Sequence, residues 1–191
     1  MKKTLEFLTT LHIDSKILIE SLEKFNSKNI EDKKIIDTIL NNFRNNDLSL
    51  LSSQEKYFLN TNSDDQWAEY LIFRYKFYDY PNQKIVSDFP IYLLIEPVSS
   101  CNLRCTMCFQ IDESFTKSKE FMGIIDLDLF KKIIDEAHNN GTKAITLASR
   151  GEPTLHPHLD KMLEYCKNKF LEFKLNTNAI KLSEKLCHTI L

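Results

Sequence analysis

Apolar residues recur three and four positions apart through roughly the first 80 residues, a stretch free of glycine and proline, and that spacing lines them along one side of successive helices. Ile17, Leu18, Leu22 and Phe25 form one stripe behind Asp14, which can cap the helix, and Ile35, Ile36, Ile39, Leu40 and Phe43 form a second. Ser52 followed by Glu55 predicts a capping box for a short third helix, and Asp64 opens a fourth that carries Trp67, Tyr70, Leu71, Arg74 and Tyr78. That aromatic density needs a partner surface; a seam against the following domain is the expectation, and a substrate-binding cap is its functional alternative.

Tyr80-Pro81-Asn82 predicts a turn, and beyond it the period changes. Ile91-Tyr92-Leu93-Leu94-Ile95, Lys143 to Ala148 and Leu171 to Asn176 are short runs of the kind that buried parallel strands show. Between the first two runs, Asp126 caps a helix with Phe130, Ile133, Ile134 and Ala137 on one face, ending at Asn140-Gly141. Leu159, Met162, Leu163 and Cys166 repeat the spacing after Pro157, a residue that a helix tolerates in its first turn, and a further helix starts at Ser183. Strands alternating with helices imply right-handed parallel crossovers, hence an α/β fold. Ligands of such folds sit outside the carboxyl ends of the strands. The loops to watch therefore begin near Val98, Ser149 and Thr177. These patterns divide the chain into residues 1–88, helical, and 89–191, strand-helix.

Composition narrows the function. With 42% hydrophobic and 27% charged residues the chain can bury a core, and a net charge of -2 provides no whole-chain field for a phosphate backbone, so no nucleic-acid partner is expected. No apolar run of membrane-spanning length occurs, and Met1-Lys2-Lys3 leads into no signal-peptide core. A cytoplasmic protein without a membrane partner is the expectation. Three of the five cysteines crowd into eight residues, which is no disulfide framework and points to metal or redox work.

Those three are Cys101, Cys105 and Cys108, in the loop after the first strand, with three and then two residues between them. Thiolates select zinc or iron-sulfur clusters, and a closed site takes four ligands. Cys166 and Cys187 lie within apolar helical patterns and read as core thiols. A set of three leaves one metal position open for a ligand.

The CxxxCxxC loop after a first strand resembles the signature of the radical S-adenosylmethionine (SAM) superfamily. Arg150-Gly151-Glu152-Pro153 after the second strand is similar to that family's GGEP motif, with Arg150 in place of its first glycine, and Asn176-Thr177-Asn178-Ala179 resembles its TNG turn, with alanine in place of glycine. Met107 stands where the family usually has an aromatic residue. The resemblance implies an incomplete parallel (β/α) barrel of the radical SAM type, about three βα units, preceded by an all-helical region. It implies a 4Fe-4S cluster on Cys101, Cys105 and Cys108, and S-adenosylmethionine near Gly151, Glu152 and Asn178. Reductive cleavage to a 5'-deoxyadenosyl radical would follow, with an electron donor such as flavodoxin or ferredoxin. The substrate is unknown; a peptide or sugar-like metabolite is the expectation.

Three units where the family's barrel has six, and an end within an apolar helical pattern, lead us to expect an amino-terminal fragment with little activity alone. The rival reading is a non-catalytic remnant or interaction protein whose cysteine loop binds zinc or no metal. His156 and His158 flank Pro157 and are candidate ligands or proton carriers as well as helix-entry residues, while His12, His138 and His188 read as surface or helix positions. Lys117-Ser118-Lys119 reads as a solvated loop or as contacts to an anionic substrate.

Overall fold

The helical patterns of the amino-terminal half fold as α1 (Ser15–Lys24), α2 (Ile30–Arg44), α3 (Ser53–Thr61) and α4 (Asp64–Gln83). The computed structural model describes residues 10–45, 48 and 51–190. The chain divides after Val86 into two compact units. Each of the first three helices starts where a side chain satisfies an orphan N–H: Asp14 accepts from Lys16 and Asn29 from Glu31, both at 2.8 Å, and Ser52 and Glu55 form the expected capping box. Leu18, Leu22, Ile36, Leu40, Phe43, Leu59 and Leu71 share one buried cluster, each stabilising the unit by roughly 1.5–3 kcal/mol. Polar contacts add ties between the helices, among them Lys76 on α4 to Asp32 on α2 at 2.7 Å and Arg44 on α2 to Glu23 on α1.

The aromatic residues of α4 find partners within this unit. Trp67 and Leu71 join the helical core, and Tyr70 stacks on Phe58 of α3 with ring centroids 3.6 Å apart. The turn expected at Tyr80-Pro81-Asn82 lies later, because α4 runs through Pro81 to Gln83. Proline in the final turn forfeits a single hydrogen bond, and the helix ends two residues on. Lys84 then takes the left-handed conformation (φ 56°); its N–H donates to Pro81 O, and the Ile85 N–H donates to Tyr80 O at 2.9 Å. These are the paired bonds of a Schellman motif.

In the second unit β1 (Tyr92–Ile95), β2 (Ala144–Leu147) and β3 (Glu172–Leu175) form a parallel sheet in the order β1-β2-β3. The register sets Ile95, Leu147 and Leu175 side by side. A one-turn helix α5 (Glu113–Thr116) and then α6 (Leu127–Asn139) connect β1 to β2, α7 (Leu159–Cys166) connects β2 to β3, and α8 (Glu184–Ile190) follows β3. Asp126 caps α6 as expected, and Gly141, at φ 87°, lets the chain turn from α6 toward β2. Phe130 and Ile134 of α6 and Met162 of α7 are fully buried beneath Ile95, Ile145 and Leu147. Pro157 precedes α7 instead of sitting in its first turn, because the His158 N–H is drawn back to the His156 ring at 3.1 Å and the helix begins at Leu159. The second unit is thus three parallel βα units of an α/β type, preceded along the chain by the helical unit. All four residues of β2 are buried, whereas β1 and β3 are the sheet's edges. Among the described residues no helix is long and apolar enough to cross a membrane.

Candidate metal centre at the strand ends

Beyond β1 the chain enters the cysteine loop through a pinned stem. Val98 bridges Ile124 in antiparallel fashion, the Ser99 N–H donates to Gly123 O, and the Ile125 N–H donates to Pro97 O, both at 2.9 Å. These bonds close the base of the loop. Within it the Cys108 N–H donates to Cys105 O at 2.9 Å, making a tight turn between the last two cysteines. Arg104 folds back to donate to the carbonyls of Cys101 and Leu103, each at 2.8 Å. All three cysteines are free thiols; Cys105 is exposed, and Cys101 and Cys108 are half-buried.

The turn after β2 presses against that stem. A Cβ on Gly151 would lie 1.8 Å from Val98 O and 2.8 Å from Ser100 O, so no other residue fits without moving backbone. The Glu152 N–H completes the contact by donating to Ser100 O at 2.9 Å. Arg150, which replaces the glycine of the motif, turns its side chain to Glu96 just past β1. Its Nε donates to Oε2 at 2.9 Å and its Nη2 to Oε1 at 2.7 Å, a two-pronged pair, and its guanidinium lies over the Phe115 ring. Burial pushes the Glu96 carboxyl up, but the bonds from Arg150 and Ser99 outweigh it and hold the group below its ordinary range. Ser149, just before this turn, carries a positive φ of 105°.

Glu152 joins the second turn to the third. Its side chain is 3% exposed; Oε1 accepts from the Thr154 N–H (3.0 Å), the Thr154 hydroxyl (2.6 Å) and the Thr177 hydroxyl (2.5 Å), and Oε2 accepts from the Asn178 N–H at 2.7 Å. Burial raises the carboxyl's pKa, and these four donors more than offset it, so the group titrates below its ordinary value. Asn178 extends the chain of contacts to the cysteine loop: its side-chain amide lies 3.8 Å from Cys101 Sγ and donates to Asn102 Oδ1 at 2.9 Å. Cys101 Sγ also accepts from the Leu103 N–H at 3.4 Å.

Of the residues singled out in the sequence, Cys101, Gly151, Glu152 and Asn178 thus share one connected network, with Cys105 and Cys108 on the outer part of the loop. Cys166 is buried in the core of the sheet, where burial pushes its thiol up to about 12, and Cys187 is half-buried on α8. His156 is structural: it is 4% exposed, its Nε2 bonds Ile125 O at 2.9 Å, and its Nδ1 accepts from the His158 N–H. Lys117 pairs with Glu113 on the surface. Three residues that sequence reasoning passed over, Glu96, Gln110 and Thr154, hold the network together with Thr177 of the third turn. Only Glu96, an acidic residue directly after a strand, carried a visible signal.

Among the described residues no three His, Cys, Asp or Glu side chains converge on one point as a single ion requires. A cluster distributes its thiolates over separate irons, so its ligands surround a body instead of meeting at a point. Three free thiols on one loop, with N–H groups directed at Cys101 Sγ, are the donor chemistry that such a cluster takes, since N–H···S bonds tune its charge.

Residues 95–190, half of the chain, match the family model described as the Radical SAM superfamily. Over 96 residues the chain is 36% identical to the tungsten-containing aldehyde ferredoxin oxidoreductase cofactor-modifying protein of Pyrococcus furiosus, covering 50% of this chain and 26% of that one. It is 29% identical over 90 residues to AlbA, the antilisterial bacteriocin subtilosin biosynthesis protein of Bacillus subtilis (47% and 19% covered). It is 42% identical over 65 residues to the cysteine-type anaerobic sulfatase-maturating enzyme of Clostridium novyi (33% and 17% covered). The matches span about a quarter or less of each relative's length. With a family match reaching from the end of β1 through α8, this chain belongs to the radical SAM superfamily, whose enzymes use a 4Fe-4S cluster and S-adenosylmethionine.

Proposed function

We propose that Cys101, Cys105 and Cys108 hold a 4Fe-4S cluster with one iron open to S-adenosylmethionine, and that Gly151, Glu152 and Asn178 form the methionine side of the site. When bound, the reduced cluster supplies the electron that cleaves S-adenosylmethionine and yields a 5'-deoxyadenosyl radical. The observation that carries this reading is the junction of three strand-end turns: Gly151 against Val98 O, Glu152 bonded to the Asn178 N–H, and the Asn178 amide beside Cys101 Sγ. Glu152 acts there as a carboxylate that holds two turns together, and Gly151 lets the second turn reach the stem of the loop. The proposed activity is modification of a peptide. Support for that substrate class comes from relatives named for bacteriocin biosynthesis and sulfatase maturation.

Anaerobic reconstitution with iron and sulfide tests the proposal. The chain is expected to take up about four irons, to show broad sulfur-to-iron charge-transfer absorbance, and to lose that absorbance when Cys105 becomes Ala. One tightly held zinc with no iron would overturn it and favour the non-catalytic alternative. A cytoplasmic reductant such as flavodoxin or ferredoxin is the proposed electron source, and 5'-deoxyadenosine released under a strong reductant is the product to assay.

A further inference from the structure

Gln110 lies two residues beyond the last cysteine of the loop and is 1% exposed. Its Nε2 donates at 2.7 Å to Ser99 O, in the stem before the first cysteine, and at 2.7 Å to Arg150 O, in the turn after β2. One amide nitrogen thereby ties both ends of the cysteine loop to the Gly151 turn. Two carbonyls at this distance also settle the orientation of the amide, because with oxygen and nitrogen exchanged three acceptors would face one another. Oε1 has no partner among the described residues, and a buried acceptor left unbonded is costly. Packing alone does not account for a polar side chain at such a place.

The bonded atoms explain its presence. Val98, Ser99 and Ser100 offer three successive carbonyls to their neighbours: the first is approached by Gly151, the second is bonded by Gln110, and the third by the Glu152 N–H. Peptide units are planar, so holding Ser99 O and Arg150 O fixes the planes that lead into Ser100-Cys101 and Gly151-Glu152. On the other side Gln110 belongs to a short 3-10 turn in which the Ile111 N–H donates to Cys108 O at 3.2 Å. Gln110 therefore links the turn that follows Cys108 to the stem that precedes Cys101.

We infer that Gln110 is a positioning residue, which aligns the cysteine loop with the Gly151-Glu152 turn so that the cluster and the methionine moiety share one geometry. No feature of the sequence around Gln110 marks it. A neutral donor of two hydrogen bonds is required here, since a lysine or arginine would bury an unpaired charge and a leucine would strand both carbonyls. The inference rests on the cluster reading of the preceding section, and its test has a metal-free arm that does not.

In the metal-free chain, Gln110→Leu and Gln110→Glu are compared with wild type by amide hydrogen exchange. Exchange at residues 99–111 and 149–153 is expected to speed up together, by about tenfold, while β2 and α6 keep their protection. After reconstitution, the electron paramagnetic resonance spectrum of the reduced cluster is recorded with and without S-adenosylmethionine. Wild type is expected to change its spectrum on adding the nucleoside, and both variants to lose that response or at least half of their iron. Wild-type exchange together with a wild-type spectral response in both variants would overturn the role of Gln110. If the leucine variant does not fold, Gln110→Asn, one methylene short of both carbonyls, carries the same readouts. A wild-type chain that takes up no iron defeats the cluster reading, and the exchange arm then still decides whether the clamp exists.

Discussion

The helical unit and the strand-end site are held together by different physics. In the first, α1 to α4 meet through leucine, isoleucine and aromatic side chains such as Leu22, Leu40, Phe43 and Leu71. In the second, three turns meet through backbone carbonyls, N–H groups, the buried carboxylate of Glu152 and the side-chain amides of Gln110 and Asn178. Apolar contact is non-directional and grows with area, so a trimmed side chain weakens it by degrees. Hydrogen bonds and close backbone approaches are directional, and a single added or missing atom breaks them. A region that must present sulfurs and donors at fixed positions gains from the second kind of bonding, whereas a scaffold needs only the first.

The largest effect expected from this contrast is at Gly151. Gly151→Ala would force a methyl group to within 1.8 Å of Val98 O, and since two backbone segments must part, the cost is about 4 kcal/mol with loss of iron uptake. Leu22→Ala, in the helical core, is expected to cost about 3 kcal/mol while iron per folded chain stays at the wild-type level. Urea denaturation and iron analysis of both variants check the pair; an alanine at 151 with unaltered stability and iron would erase the contrast.

Next in size is Glu152. Glu152→Gln removes charge from a carboxylate with four donors and is expected to cost about 2 kcal/mol at neutral pH. Because the folded pKa lies below the ordinary 4.5, the stabilisation is fully present above that value and is lost as pH falls through the depressed folded pKa. The gap between wild type and Glu152→Gln should therefore narrow in acid, as denaturation across pH would show. A gap that widens as acid is added would mean that the carboxylate is not the stabilised form.

The smallest effect is a gain. Ala179, at the position of the third turn's glycine, holds φ at 65°, which is strained for a residue with a Cβ. Ala179→Gly relieves that strain at some entropic expense, for a net gain of about 0.5 kcal/mol in unfolding free energy, measured by urea denaturation. A destabilised variant would show that this turn is not under strain.

Much of the fold was legible because it is local. Asp14, Ser52 with Glu55, and Asp126 mark helix starts through partners two or three residues away, and Gly141 marks a helix end through its own backbone angle. The missed boundary at Pro81 shows the limit of such signals, since a proline stops a helix only if the remaining turn is long enough for the lost bond to matter. In the site, the cysteine spacing and the Gly151-Glu152-Pro153 turn could be read directly. The part played by Glu152 could not: its donors come from Thr154 nearby but also from Thr177 and Asn178, beyond another helix and strand.

By itself the amino-acid sequence determined the longer helices (though not the one-turn α5 within the cysteine loop's continuation), the alternation of strand and helix, and the order of the three turns, because each depends on neighbours within a few residues. Tertiary structure decided which distant groups meet: Glu96 with Arg150, Gln110 with Ser99 and Arg150, and Glu152 with Asn178. The physical reason is that a hydrogen bond needs two groups within about 3 Å at a set angle, and for residues dozens of positions apart only the packed sheet brings them there.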